Sequence, residues 1–311
     1  MNNKNLLRLG ACLLAGSALI AQPASAGYTT TKYPIVLVHG VFGFNNFLGA
    51  DYFYQIPSTL TAEGAKVYVS TVAAANSNEV RGEQLLQEVL KFKALSGAAK
   101  FNLIGHSQGS PTSRYVAAVR PDLVASVTSV DGVNKGSRVA DIIRKVAPAG
   151  TVNETIASSV ANAFANLLSF ATGSSTLSQN TLAALDSLTT PGLTKFNAKY
   201  PAGVPSGCGE GAYSVGGVRY YSWGGKGVLT NVLDPLDAGI GLLSLAFSLT
   251  GEANDGLVST CSQRLGQVIR ADYGMNHLDA VNGYFGLVNI FETNPKTVYR
   301  AHANRLQTAG L

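Results

Sequence analysis

Short apolar runs alternate with longer amphipathic stretches along the first half of the chain, and this alternation is the feature that most constrains the fold. The runs with strand character are residues 33–38, 66–72, 101–104 and 124–130. The stretches with apolar residues at helical spacing are residues 78–95 and 111–119. Strands that alternate with helices form crossover units, which build a mostly parallel sheet with helices on both faces. The sequence therefore predicts an α/β fold.

The helix predicted over residues 78–95 has recognisable ends. Asn78 is available as its cap, Glu79 lies in its first turn, and Gly97 ends it. Pro111 suits the first turn of the next helix, because the missing N–H of a proline costs nothing there. The residues just before Pro111 therefore form a strand-to-helix corner.

A serine stands between two glycines at this corner, where residues 105–109 read GHSQG. The five-residue match is weak by itself. At such a corner, however, a sharp turn lifts the hydroxyl above the carboxyl end of the sheet, and Gly105 and Gly109 avoid a collision across the turn. The following helix N-terminus also favours developing negative charge. We predict that Ser107 is a nucleophile; the alternative is a glycine-rich turn with an incidental serine.

A serine nucleophile needs a neighbouring base, which is usually a histidine held by a carboxylate. His39 and His106 lie in the predicted turns, whereas His277 and His302 lie downstream, where a nucleophile, acid, histidine order expects the base. We predict His277, which lies in a polar loop. His302 lies in a helix-like stretch, and its replacement should have only a mild effect compared with replacement of His277.

The carboxylate partner of the histidine is less well defined by the sequence. The aspartates between the serine and the predicted base are Asp186, Asp234, Asp237, Asp255 and Asp272. Asp255 follows turn residues and would suit a loop at a sheet end, although Asp-Gly is equally an ordinary turn signature. We choose Asp255. After the first strand, residues 39–43 read HGVFG, and the amides of Val41 and Gln108 would form an oxyanion site, unless this is only a glycine-rich connection.

The first 26 residues differ from the rest of the chain. Lys4 and Arg8 precede an apolar segment at residues 11–20, and residues 24–26 read ASA. This pattern is typical of a cleaved secretory signal peptide. A membrane anchor is the alternative, but about 10 apolar residues fall short of the roughly 20 that span a bilayer. We expect secretion of residues 27–311, with no transmembrane segment remaining.

The composition of the mature chain bounds its partners and its redox state. Removal of the signal lowers the net charge from +5 to +3, and the basic residues are scattered, which does not favour a nucleic-acid partner. Cys12 is removed with the signal, so Cys208 and Cys261 remain. An even pair in an exported chain suggests one disulfide, and two buried thiols are the alternative.

Apolar residues recur at helical spacing over residues 151–172, which predicts an amphipathic helix. Such a stripe usually packs into the core, so on periodicity alone that interpretation is the simpler one. A second apolar stretch, residues 240–247, would suit an acyl pocket or the support of that helix.

Several short stretches form a combination far more specific than the serine motif. They are HG at residues 39–40, VRGEQL at 80–85, GHSQG at 105–109, CGEG at 208–211, YYSW at 220–223, NDGLV at 254–258 and NHLD at 276–279. Together they resemble the secreted bacterial triacylglycerol lipases of the Pseudomonas and Burkholderia type, which are α/β hydrolases. The likeness covers essentially the whole mature chain.

The resemblance implies an α/β-hydrolase fold in one domain, with residues 151–172 as a lid that closes in water and opens at an oil surface. The residues to which it assigns roles are a triad of Ser107, Asp255 and His277, oxyanion amides of Val41 and Gln108, and a Cys208–Cys261 disulfide. It also implies a structural calcium ion held by the carboxylates of Asp234 and Asp279 and the carbonyls of Gly283 and Leu287, oxygen ligands that suit this cation.

Two positions depart from the lipases that the chain resembles. Gly283 stands where relatives carry glutamine, which keeps a carbonyl but makes the loop more flexible. Asp131, in the sequence DGVN at residues 131–134, stands where close relatives are less acidic. We expect it near the mouth of the active site and assign it no role.

The predicted function is hydrolysis of water-insoluble acylglycerols through an acyl-enzyme, by a secreted monomer that meets a lipid surface peripherally. The resemblance also suggests help from a dedicated foldase during export. One alternative is an esterase or polyester hydrolase that lacks activation at an interface. Another is a non-catalytic protein that binds a hydrophobic ligand. Such a protein would be marked by the loss of a triad residue, whereas this sequence retains all three.

Overall fold

A seven-stranded sheet organises the part of the chain that the computed structural model describes, residues 27–41, 43, 51–146, 153–171, 177 and 179–311. The strands are β1 (Ile35–Val38), β2 (Val67–Val69), β3 (Phe101–His106), β4 (Val124–Val130), β5 (Ser214–Val215), β6 (Val218–Gly225) and β7 (Gln267–Tyr273). Their order is β2-β1-β3-β4-β6-β5, and β7 also pairs with β6. Every pairing is parallel except that of the short β5 with β6. The predicted mostly parallel sheet is confirmed.

Helices connect and cover these strands. The α-helices are α1 (Ile56–Thr61), α2 (Asn78–Ser96), α3 (Gly109–Val119), α4 (Arg138–Ile143), α5 (Glu154–Ala171), α6 (Thr181–Leu188), α7 (Thr190–Lys199), α8 (Asp237–Leu243) and α9 (Pro295–Thr308). Short 3₁₀ helices span Pro121–Leu123, Ser244–Phe247, Asp279–Val281 and Tyr284–Gly286. The prediction of Asn78 as a cap is wrong by one residue, because the Ser77 hydroxyl accepts the Val80 amide. Gly97 does end α2, with φ 68°.

Alternate residues of the central strands point to opposite faces of the sheet. On each face, these side chains pack in an apolar layer. In β1, Val36 and Val38 pack in a cluster with α2 and α3. Ile35 and Leu37 point the other way, into a cluster with α1 and α9. All four side chains are fully buried, as expected for a strand covered on both faces. Helices therefore pack on both faces of the sheet and leave its edges as the places where loops meet.

The parallel strands place several distant loops at one edge of the sheet. The carboxyl ends of β1, β3, β4, β6 and β7 all lie there, because parallel neighbours run in the same direction. The loops that leave these ends carry the predicted catalytic residues. In open α/β sheets, ligands bind beyond this edge.

The helix predicted over residues 151–172 is present as α5. Its described range is Glu154–Ala171; residues 151, 152 and 172 lie outside the described residues. Val160, Ala163 and Phe164 of α5 are buried in a third apolar cluster with α8 and the 3₁₀ helix that follows α8. The partly buried Val41 and Leu278 join this cluster, so α5 packs beside the carboxyl edge of the sheet.

A disulfide joins Cys208 to Cys261, with their Cα atoms 4.7 Å apart. This is the pair that the family resemblance implied. The signal-peptide prediction, by contrast, falls on residues 1–26, which lie outside the described residues. In the described part of the chain, no helix combines the length and the apolar character needed to cross a membrane.

Candidate active site

Ser107 lies on a tight turn between β3 and α3. Its φ of 55° falls in the left-handed region, which is uncommon for a residue with a side chain and is often found at functional sites. A Cβ on Gly105 would lie 2.2 Å from the Gly109 carbonyl oxygen, and a Cβ on Gly109 would lie 2.1 Å from that of Val38. Both glycines are therefore required for the turn, and they leave Ser107 at the sheet edge, 4% exposed.

His277 and Asp255 form a buried hydrogen-bonded pair. The distance from His277 Nδ1 to Asp255 Oδ2 is 2.7 Å. The carboxylate also accepts the amides of Leu257 and Val258 and the Gln263 side-chain amide. Donors directed at a carboxylate stabilise its charge, and a charged Asp255 keeps the histidine proton on Nδ1. The Nε2 atom of His277 is then left as the basic nitrogen.

The other candidate aspartates have different partners. Asp186 pairs with Arg144, and Asp272 pairs with Arg270. Asp237 accepts the Thr230 amide, and Asp234 accepts the Leu236 amide. Of the five aspartates considered, Asp255 is the one hydrogen-bonded to His277 in the described part of the chain.

His106, the residue before Ser107, ties the nucleophile turn to the His277 loop. Its Nε2 lies 2.9 Å from the His277 carbonyl oxygen, and its Nδ1 lies 2.6 Å from the Tyr52 hydroxyl. The Gly40 amide donates to the same hydroxyl oxygen at 3.0 Å. Because the carbonyl only accepts, His106 carries its proton on Nε2, and Tyr52 donates to Nδ1. Nothing in the sequence distinguished Tyr52.

The loop after β1 lies directly against Ser107. A Cβ on Gly40 would lie 2.6 Å from Ser107 Cβ. The buried Arg81 guanidinium donates to the carbonyl oxygens of His39 at 2.5 Å and of Gly40 at 3.2 Å, which fixes the path of this loop. Burial lowers the pKa of Arg81 to about 9. In the sequence, Arg81 is marked only by its place in the family-like VRGEQL stretch.

The amides predicted to form the oxyanion site belong to the residue after Gly40 and the residue after Ser107, and Gly40 and Ser107 contact each other. Val41 follows the loop that Arg81 holds, and Gln108 precedes the first turn of α3. No group in the described residues accepts a hydrogen bond from either amide. The Gln108 side chain is anchored, since its Nε2 donates to Asn76 O at 2.9 Å and to Asn78 Oδ1 at 3.1 Å.

His302 is a core residue of α9. Its Nε2 lies 2.8 Å from the Thr128 hydroxyl, and its ring packs against Trp223 and Tyr221. Burial lowers its pKa well below the usual range. Its replacement would leave a buried hydroxyl and a cavity in the core. Replacement of His302 should therefore lower stability, while its mild effect on turnover stays a prediction.

The four residues of the predicted calcium site lie on loops after β6 and β7. Asp234 is 5% exposed and Asp279 is fully buried. Burial raises the pKa of each carboxyl group to about 6. A Cβ on Gly283 would lie 2.8 Å from the Leu287 carbonyl oxygen, and Gly283 has φ 54°. The glycine that departs from relatives is thus required by this loop conformation.

Asp131 does not lie at the mouth of the site as expected. It is fully buried directly after β4. One of its carboxyl oxygens, a ring nitrogen of His106 and a ring nitrogen of His277 lie within 4.8 Å of one another. Three residues that adjoin the nucleophile turn therefore converge in the interior.

Comparison with known proteins agrees with this geometry. Residues 33–236 match a family model described as the alpha/beta hydrolase fold. The mature lipase of Bacillus licheniformis has a TM-score of 0.62 with this chain, at 14% identity, over 92% of this chain and 95% of that one. The chain is an α/β hydrolase.

Two relatives define its place in that class. A protein of Vibrio cholerae named triacylglycerol lipase is 55% identical over 99% of this chain and 100% of its own length. Another of that name, from Pseudomonas fragi, is 44% identical over 90% of this chain and 98% of its own length. The chain belongs to the family of the bacterial triacylglycerol lipases.

Proposed function

We propose that this protein hydrolyses the carboxylic esters of water-insoluble acylglycerols, with Ser107 as nucleophile. The observation that carries the proposal is the 2.7 Å contact between His277 and a buried Asp255. His106, the residue before Ser107, holds the loop of this pair through its 2.9 Å contact with the His277 carbonyl oxygen. The 55% identity to a Vibrio cholerae protein named triacylglycerol lipase supports the choice of substrate.

The reaction proceeds in two acyl transfers. His277 Nε2 removes the Ser107 hydroxyl proton as the oxygen attacks the ester carbonyl, and the amides of Val41 and Gln108 stabilise the resulting oxyanion. The protonated His277 then gives its proton to the departing alcohol. Water enters, loses a proton to His277 and releases the fatty acid from the serine. Asp255 orients the ring and stabilises the imidazolium through both transfers.

The partner in this proposal is a lipid surface, and α5 is the lid. Three of its apolar side chains pack with α8 and with Val41, the residue of the oxyanion loop. Movement of α5 away from this cluster would expose apolar surface beside Val41, which favours opening at oil and closure in water. Secretion after cleavage at residue 26, a monomeric state and assistance by a foldase belong to the same proposal.

We also propose a structural calcium ion on the loops after β6 and β7. Asp279 Oδ1 is buried and has no hydrogen-bond partner in the described residues, and an unpaired buried oxygen of this kind fits a hard cation. The carboxylates of Asp234 and Asp279 and the carbonyls of Gly283 and Leu287 would hold it. The ion would neutralise the buried charges and fix the loop that carries His277, two residues before Asp279.

Ser107→Ala tests the assignment of the nucleophile. We expect a loss of activity of at least about a thousandfold on an emulsified triglyceride, because the proposed acyl-enzyme forms on the Ser107 hydroxyl. The far-ultraviolet spectrum and Tm should stay close to those of the wild type. Unchanged hydrolysis by the variant would end the proposal.

The esterase alternative differs in its response to an interface. For a lipase with a mobile lid, the rate should rise steeply once a long-chain ester exceeds its solubility. A rate that follows simple saturation through that point would favour the esterase.

A further inference from the structure

A second buried carboxyl group lies beside the proposed catalytic histidine. Asp131 follows β4 directly and has φ 44°, so its backbone is held in the left-handed region, as is that of Ser107 at the end of the neighbouring β3. Its amide donates to the Trp223 carbonyl at 3.1 Å. The side chain points into the protein, where a carboxyl oxygen lies within 4.8 Å of a ring nitrogen of His277.

The hydrogen bonds around Asp131 leave two buried oxygens without a donor. Asp131 Oδ1 accepts the Gly225 amide at 2.7 Å, but Oδ2 has no partner in the described residues. Gln263 Nε2 donates to Gly225 O and to Asp255 Oδ2, both at 3.0 Å, and these bonds fix its amide orientation. Gln263 Oε1 is also buried and unpaired within the described residues. A Cβ on Gly224 would meet both groups, at 2.0 Å from Gln263 Oε1 and 2.7 Å from Asp131 Oδ1.

A proton on Asp131 accounts for this arrangement. Burial, and next the negative charge of Asp255, raise the pKa of Asp131 well above its usual range. Asp255 has the donors that stabilise an anion, so in a shared site the charge belongs on Asp255 and the proton on Asp131. A protonated Asp131 also supplies the missing donor in the neighbourhood of Gln263 Oε1.

A metal ion would not suit the same group of side chains. Both ring nitrogens of His106 are engaged, one with Tyr52 and one with the His277 carbonyl. His106 therefore has no lone pair left for a metal. The group is better explained by proton chemistry around His277.

We propose that Asp131 is a second carboxyl group for His277, a positioning residue that can orient and stabilise the imidazolium when Asp255 is removed. The inference rests on the proposed function, because it concerns the same histidine. In the wild type Asp131 stays neutral, and Asp255 holds the ring of His277. Without Asp255, the Asp131 proton passes to water, and the carboxylate left behind faces the ring of His277.

The test is a double-mutant cycle with a soluble nitrophenyl ester, which avoids the lid and the interface. The wild type, Asp131→Asn, Asp255→Ala and the double variant are compared by kcat and KM. Loss of a triad aspartate with no substitute costs about 10⁴-fold in kcat. We expect Asp255→Ala to lose less than about 100-fold. Asp131→Asn should then cost less than about threefold in the wild type but at least about tenfold in the Asp255→Ala background, in kcat and not in KM.

Two controls separate positioning from packing. Asp141→Asn removes another buried carboxyl group, one bonded to Thr190, and should change kcat by the same factor in both backgrounds. The low-field proton signal of His277 Nδ1–H should persist in Asp255→Ala and vanish in the double variant. If Asp255→Ala does not fold, Asp255→Ser, whose hydroxyl oxygen can accept a hydrogen bond from the Leu257 or Val258 amide, serves as the second background.

Equal factors for Asp131→Asn in both backgrounds would overturn the inference, as would the absence of the low-field signal from Asp255→Ala. These outcomes leave hydrolysis by Ser107 intact. Failure of the proposed function would instead appear as a wild type that does not hydrolyse the ester, or as a Ser107→Ala variant that still does.

Discussion

At the scale of single residues, this site depends on buried polar groups that are each held in one protonation state. Burial and the charge of Arg81 lower the pKa of His39 to about 3, and burial, with the nearby His277, lowers the pKa of His106 well below its usual range. Both rings are therefore neutral at neutral pH. A neutral His106 with its proton on Nε2 is the form that accepts from Tyr52 and donates to the His277 loop.

Tyr52→Phe tests this chain of hydrogen bonds. The variant leaves His106 Nδ1 and the Gly40 amide unsatisfied, and each unpaired buried group costs about 1–3 kcal/mol. We expect lower stability in urea and about a tenfold loss in kcat, since about 1.4 kcal/mol of transition-state stabilisation corresponds to tenfold. Tyr213→Phe, which removes a hydroxyl bonded to Tyr221, should leave kcat unchanged. Wild-type kcat in Tyr52→Phe would contradict the role of His106.

At the scale of elements, the contact between β3 and α3 determines where Ser107 lies. Helix α3 begins so close to β1 that Gly109 has no room for a Cβ beside the Val38 carbonyl. The same proximity brings the loop after β1, with Gly40 and Val41, against Ser107. The sequence pattern predicted β1 and α3, but it did not predict how closely they pack.

Gly109→Ala measures the cost of filling that contact. A methyl group 2.1 Å from the Val38 carbonyl oxygen forces β1 and α3 apart, and we expect a loss of about 2–4 kcal/mol in the free energy of unfolding. Gly239→Ala is the matched control. Gly239 lies inside α8, and apart from the helix's own backbone no atom of the described residues lies within 4 Å of a Cβ at this position, so alanine should raise stability by about 0.5–1 kcal/mol. Equal effects of the two substitutions on stability would refute the steric argument.

At the scale of the whole molecule, the proposed catalytic groups depend on loops from five parallel strands that meet at one sheet edge. The loop carrying His277 also carries Asp279, and it contacts the loop carrying Asp234 through the bond from Asn276 to Asp237 at 2.7 Å. Buried acidic groups in these loops oppose folding unless a cation neutralises them. The proposed calcium ion would therefore support catalysis through stability rather than chemistry.

Chelation combined with a pH series tests the calcium site. Without the ion, Asp234 and Asp279 have pKa values of about 6 in the folded state, above their unfolded values. The folded state then binds more protons between about pH 4 and 6, so stability should fall as pH rises through this window and stay low above it.

Calcium should reverse this trend, because it binds the ionised carboxylates. We expect a drop in Tm on chelation at pH 7 that shrinks toward pH 4, and little response in Asp279→Asn. A Tm indifferent to a strong chelator at pH 7 would count against the ion.

The sequence by itself determined the elements and the motifs. Apolar runs and helical periodicity predicted β1, β3, β4, α2, α3 and α5. The reason is that burial of one face or of two faces of an element requires a particular local order of apolar and polar residues. The glycines around Ser107 predicted a sharp turn for the same local reason. Family motifs supplied the remaining assignments, including the bridge between Cys208 and Cys261.

Only the tertiary structure decided which polar groups meet. It paired Asp255 with His277 among five candidate aspartates, turned His302 into a core residue, and brought Tyr52, Arg81 and Asp131 against the site. Those contacts join residues that are tens to hundreds of positions apart. No local pattern encodes such contacts, because a hydrogen bond between distant loops depends on the register and the packing of the whole sheet.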